Sequence, residues 1–275
     1  MRSAPRRQHR RARPALGTLV DITLDTDDDA LAARGFEAAF AEIQRVHALM
    51  SAHDPRSDVV RLSLRAHLEP VTIHADTLAV LRQAIKLHRL SDGVFDPTVG
   101  ALLARSGHVP ALNVPPGGSL ADVVIAPDGA VRFKCPLHLD FGGIAKGYAV
   151  DRAVHVLARL QLPGALVNAG GDMRAFGDRA HPVQLRTAHG PQTVAMLKDA
   201  ALASSCNAGL TASPHLDGRY GRGVLRDESV VVHAPSAAIA DALTKVAMVS
   251  APRADRACRA LGAQWRAFPF HALPA

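Results

Sequence analysis

Apolar residues recur at helical spacing over 30–50, 77–90 and 237–249, and at strand spacing over many shorter stretches. Asp27, Asp28 and Asp29 precede the first helical run, where acids favour the positive end of a helix dipole. Asp76 opens the second run, and Ser91-Asp92-Gly93 ends it. A short helix is expected through Leu62, and further helices over 146–160 and 253–261. Strands are expected over 16–24, 137–140, 165–168, 183–186, 194–197, 200–204, 230–233 and 265–268. A hairpin over 123–133 turns at Pro127-Asp128-Gly129. Residues 105–121, rich in Gly, Pro and Ser, read as a loop. Helices and strands mix without regular alternation, which predicts an α+β fold rather than a doubly wound parallel sheet.

Composition narrows the class. With 275 residues, 48% of them hydrophobic, the chain can bury a core without disulfide staples. Its three cysteines, Cys135, Cys206 and Cys258, form no CxxC pair, so neither a disulfide framework nor a structural zinc site is expected. Much of the formal charge of +7 sits in Arg2, Arg6, Arg7, Arg10, Arg11 and Arg13. Residues 1–12 therefore read as a solvated basic tail before a domain over 13–275. No aromatic residues interleave with the arginines as a nucleic-acid stacking platform requires, so no nucleic-acid partner is expected. Neither a transmembrane run nor an apolar signal segment is found, and the expected location is cytoplasmic.

Four segments concentrate chemistry. Asp140-Phe141-Gly142-Gly143-Ile144-Ala145-Lys146 reads as a strand end, a glycine turn and a helix start. It is suited to phosphate oxygens through backbone amides, the helix dipole and the Lys146 ammonium, or is simply a tight turn with a surface lysine. Its spacing fits neither the dinucleotide glycine fingerprint nor a P-loop. Val94-Phe95-Asp96 sets an aromatic ring beside a carboxylate in a Gly/Pro loop, able to hold a planar ligand or merely to join two helices. Asn168-Ala169-Gly170-Gly171-Asp172 is a hairpin turn or a strand end with free amides. Asp241 lies one helical turn before Lys245 among apolar neighbours. A buried carboxylate there needs an ion pair or a magnesium ion. One of 14 histidines, His215 in Ser213-Pro214-His215-Leu216 reads by itself as a surface or hydrogen-bonded histidine rather than a catalyst.

Together with Pro14-Ala15-Leu16-Gly17-Thr18 and Met50-Ser51-Ala52-His53-Asp54-Pro55, these segments resemble the FAD:protein FMN transferase (ApbE) family. The resemblance covers residue 13 to about 250. It implies a single α+β unit of two intimately packed lobes with a flavin cleft between them. It also implies Mg²⁺-dependent transfer of FMN from FAD to a threonine or serine hydroxyl of an acceptor flavoprotein, with AMP released. By position, Leu16, His53, Val94, Phe95, Asp96 and Leu216 would line the flavin or adenine, and Asp140 and Lys146 would hold the ribose and phosphate region. Magnesium would be held by the Gly143 carbonyl, the Asp241 carboxylate and the Thr244 hydroxyl. His215, or else Asp241, would take the acceptor proton. The glycine turn, Lys146 and the helix bearing Asp241 must then converge.

Some positions depart from the family pattern. Lys245 stands where a threonine is usual, His53 replaces a tyrosine, Ser204-Ser205-Cys206 replaces Thr-Ser-Gly, and the loop after His215 is shorter and lacks a threonine. These departures bear on metal binding and transfer more than on flavin binding. An FAD-binding protein without transfer activity, or a pyrophosphatase releasing FMN and AMP, are the alternatives.

Overall fold

The computed structural model describes residues 6–115, 117–187, 190–207 and 213–269. The chain runs β1 (Gln8–Ala15), β2 (Thr18–Asp25), α1 (Asp29–Met50), α2 (Asp58–Arg65), α3 (Ala75–Leu90), α4 (Gly100–Arg105), β3 (Val123–Ile125) and β4 (Val131–Phe133). Then follow α5 (Ala145–Arg159), β5 (Gly164–Ala169), β6 (Asp172–Gly177), β7 (His181–Thr187), β8 (Gly190–Leu197) and β9 (Ala200–Ser205). The last elements are β10 (Leu216–Asp217), β11 (Arg222–Gly223), β12 (Glu228–Ala234), α6 (Ala237–Val249), α7 (Ala251–Leu261) and β13 (Gln264–Pro269). Seven strands form one sheet in the order β1-β2-β5-β6-β9-β12-β13, each pair antiparallel. Helices that accompany an antiparallel sheet make the α+β class expected.

The period of two along each strand sorts the sheet's side chains onto two faces. Val20, Ile22, Val167, Ala203 and Val232 face the helices and share one core with Phe36, Phe40, Ile43, Val150, Leu157 and Leu243. Met173, Ala175, Leu202 and Val231 face the other way and pack against Val183 and Leu197 of the β7–β8 hairpin. With few aromatics available, small residues let α5 and α6 close on each other. A Cβ added at Gly147 would sit 2.2 Å from the Ala237 carbonyl oxygen. The Asp151 carboxylate caps the start of α6, accepting from the amides of Ala237 and Ala238 at 2.9 Å each.

Several expectations need correction. Gln8–Ala12 is not tail but the first five of the eight residues of an edge strand, paired with β2 from Gln8↔Asp25 to Ala15↔Thr18. Its arginines are held by partners that a hydropathy pattern does not register. Arg10 Nε donates to Asp21 at 2.7 Å, and the Arg11 and Arg13 guanidinium groups lie 4.8 and 4.6 Å from the Phe36 and Phe40 ring centres. Strand β6 and helix α4 lie where the hydropathy pattern predicts no element. Helix α3 starts at Ala75, capped by the His74 ring, while Asp76 binds Arg45 and Tyr148 instead. Residues 137–140 form no sheet strand; His138 makes a single parallel bridge to Val99.

Candidate functional site

Two hairpin tips mark the end of the sheet where the cleft opens. Leu16-Gly17 joins β1 to β2, and Gly170-Gly171 joins β5 to β6. Both are two-residue turns with positive φ throughout, at 55° and 72° for the first and 63° and 101° for the second, the geometry that matches strand twist. Leucine at a left-handed position is unfavourable, and it puts the Leu16 side chain on the cleft wall. Opposite stand the end of α1, the 94–99 loop and the turn before α5. They enclose a cavity of ≈ 710 Å³. Its volume falls in the usual range for a small-molecule or cofactor site.

All eight residues assigned above to the dinucleotide line this cavity: Leu16, His53, Val94, Phe95, Asp96, Asp140, Lys146 and Leu216. His215 and Gly143 line it too. Phe95 is nearly buried, its amide donating to Ser91 Oγ at 3.0 Å and its carbonyl 3.1 Å from His88 Nδ1. Asp96 accepts from the Thr98 amide and hydroxyl at 2.9 and 2.7 Å, and burial raises its carboxyl above the ordinary range. Asp140 accepts the Gly142 amide at 3.1 Å, which forms the turn into α5.

The expected convergence is present at the deep end. Lys146 Nζ lies 3.0 Å from Asp172 and 3.6 Å from Asp241, and donates to the Gly142 carbonyl at 3.3 Å. The Gly147 amide donates to Asp241 Oδ2 at 3.2 Å. Burial works against the Asp241 anion, but Lys146 and Lys245 outweigh it and hold its carboxyl below the ordinary value. Burial and the neighbouring Asp241 push Asp172 up to about 6 against the pull of Lys146. Burial, reinforced by Lys245 and Lys146, drives the His215 ring down to about 3, so it is neutral at physiological pH.

Gly143, Asp241 and Thr244 meet here, but the space among them holds Lys245. Its ammonium is 2.5 Å from Asp241 Oδ1, 3.0 Å from Thr244 Oγ1 and 3.2 Å from Ser205 Oγ. Its stem crosses Gly143, whose added Cβ would lie 3.5 Å from Lys245 Cγ. Asp241 and Thr244 are both fully buried, and the Thr244 hydroxyl donates to the Asp241 carbonyl at 2.6 Å. Magnesium demands near-octahedral oxygen ligands and keeps several waters. A carboxylate with both oxygens committed, under an ammonium, does not fit it. Among the described residues no group of three or more His, Cys, Asp or Glu is placed to hold a metal. No helix among them is long and apolar enough to cross a membrane.

Two members of the site lie in motifs named above but carry no role assigned from sequence. Asp172 closes the pair with Lys146; the Gly-Gly-Asp turn was its signal. Ser205 contacts Lys245 and Thr244 from β9, a contact between residues 40 apart in the chain that no local pattern reveals.

The α+β scaffold thus sets Lys146, Lys245, Phe95 and aliphatic side chains around one cleft. The ApbE family model matches residues 16–264, and the chain belongs to that family. It is 27% identical over 190 residues to a Treponema pallidum protein named FAD:protein FMN transferase, covering 62% of this chain and 52% of that one. It is 28% identical over 179 residues to a Klebsiella pneumoniae protein of the same name, covering 59% and 54%. The chain thus spans about half the length of the curated relatives it matches. Among solved structures, the ApbE protein of Thermotoga maritima superposes with a TM-score of 0.82 at 26% identity, covering 96% of this chain and 97% of that one. The flavin transferase ApbE of Vibrio cholerae does so at 0.80 and 22%, covering 97% and 98%, and shares the fold.

Proposed function

We propose that this protein binds FAD in the cleft and transfers its FMN half to a threonine or serine hydroxyl of an acceptor protein, releasing AMP. The observation that carries this reading is the single cavity lined by all eight residues assigned to the dinucleotide, with Lys146 and Lys245 at its deep end. The names of the curated relatives support it. In the transfer, the acceptor oxygen bonds to the FMN phosphorus and the pyrophosphate P–O bond to AMP breaks. Positioning and charge neutralisation do most of the work in such a reaction. Phe95, Val94 and Leu16 hold the ring system, and Lys146 and Lys245 face the pyrophosphate. His215, neutral and on the wall, takes the acceptor proton. Because the Asp241 site does not fit magnesium, no step is assigned to a metal.

The direct test is AMP release from FAD, with and without candidate acceptor proteins. Release only with an acceptor, together with a flavin-labelled acceptor, is expected. Release without an acceptor means hydrolysis to FMN and AMP. Binding without release means an FAD store, a second reading favoured by the Lys245–Asp241 pair.

A further inference from the structure

Lys146 and Lys245 are the fixed positive charges on the cavity wall among the described residues. Lys146 enters from α5, on the side of Asp172. Lys245 enters from α6 and is built in. Its ammonium has three donors, and three acceptors surround it, from Asp241, Thr244 and Ser205. Its stem passes beside the bare backbone of Gly143, whose added Cβ would lie 3.5 Å from Lys245 Cγ, in ordinary contact. The Asp241 carboxylate beneath is wholly buried, and its second oxygen takes the Gly147 amide. Any dication entering here must displace an ammonium from a buried anion, whereas an arriving phosphate oxygen need displace only the long contact to Ser205 at 3.2 Å. The Lys245 side chain keeps 20% of its surface exposed, so that exchange has a route from the cleft.

We propose that Lys245 is a built-in cation standing where the family resemblance implies magnesium, and that with Lys146 it pairs with the pyrophosphate of FAD, making dinucleotide binding independent of divalent metal. This rests on the reading of the cleft as an FAD site.

The test uses the full chain, freed of metal by chelator, and follows FAD and riboflavin binding by flavin fluorescence with and without Mg²⁺. Wild type should bind FAD equally well in chelator and in Mg²⁺. Lys245→Met keeps the stem and loses the charge. It should weaken FAD binding by about tenfold or more, the loss of one charged hydrogen bond, and leave riboflavin binding unchanged. Lys245→Thr should lose FAD affinity in chelator and regain it in Mg²⁺. Wild-type FAD binding that requires Mg²⁺ overturns the inference while leaving the FAD site intact. So does a Lys245→Met variant that binds FAD as wild type does, or that weakens FAD and riboflavin alike. Failure of folded wild type to bind either flavin overturns the functional reading as well.

Discussion

Lys245 Nζ lies 2.5 Å from Asp241 Oδ1, one helical turn along α6, and the carboxylate it covers has no exposed surface. Removing one partner of a buried pair costs far more than the pair itself contributes, because the other charge is stranded. Asp241→Ala also leaves the Gly147 amide without its acceptor and takes from Lys146 the more distant of its two carboxylates. It should destabilise the protein by about 3–5 kcal/mol. Adding Lys245→Leu to it should recover part of that loss. A urea-unfolding double-mutant cycle measures both; strictly additive effects would mean the two side chains do not interact.

His215 sets a pH dependence. In the unfolded chain it titrates near 6.5, whereas in the folded state burial and the two lysines lower it to about 3. Between those values the unfolded chain binds the extra proton, so stability rises with pH across this window and is lost as pH falls through it. The His215 ring NMR signal should therefore stay flat between about pH 5 and pH 8 in the free protein. Binding of ADP, used as a pyrophosphate probe, offsets the lysine charges and should raise the His215 pKa toward the neutral range. Substrate would then strengthen the base at the moment it is needed. A His215 signal that titrates near 6.5 without ligand contradicts this.

Where side-chain period governs, the chain was legible. Helix α6 was expected over 237–249 and is found there, and α5 differs by one residue at each end. Where ion pairs or glycine turns govern, it was not. Strand β1 has no apolar stripe, only arginines whose partners lie on β2 and α1. Strand β6 has only Met173 and Ala175 facing the small core beneath the β7–β8 hairpin. At the site, the glycine turn and Lys146 were readable as a phosphate cradle. The ion pair of Asp241 with Lys245 was one of two readings of their spacing, but the commitment of Lys245 to Ser205 depends on α6 meeting β9, which no stretch of sequence states.

Leu16 sits at φ 55° on the cleft wall. Leu16→Gly relieves about 1–2 kcal/mol of left-handed strain. It adds about 0.5–1 kcal/mol of unfolded-chain entropy and gives up some packing against the core, so stability should stay within about 1 kcal/mol of wild type. FAD affinity should nevertheless fall by about tenfold, because an apolar wall is lost. Calorimetric unfolding and fluorescence titration separate the two effects. A stable variant with undiminished FAD affinity removes Leu16 from the flavin wall.

Two glycines four residues apart should fail differently. A Cβ at Gly147 would sit 2.2 Å from the Ala237 carbonyl oxygen, 2.5 Å from its carbon and 2.7 Å from the Ala238 nitrogen. All three are backbone atoms at the capped start of α6, with no free side-chain end to swing away. Gly147→Ala must push α5 and α6 apart and stretch the Gly147–Asp241 hydrogen bond, at a cost of about 1–3 kcal/mol or more. At Gly143 the same methyl group meets only the stem of Lys245 and the edge of Phe95 at 3.5 Å. Gly143→Ala should fold with near wild-type stability, within about 0.5 kcal/mol. It should nonetheless weaken FAD binding by about tenfold, since the methyl group stands in the cleft where the lysine stem and the ligand pass. Unfolding midpoints and FAD titrations of the two variants check the contrast. Equal loss of stability in both would place Gly143 in the packing of the fold rather than on the wall of the site.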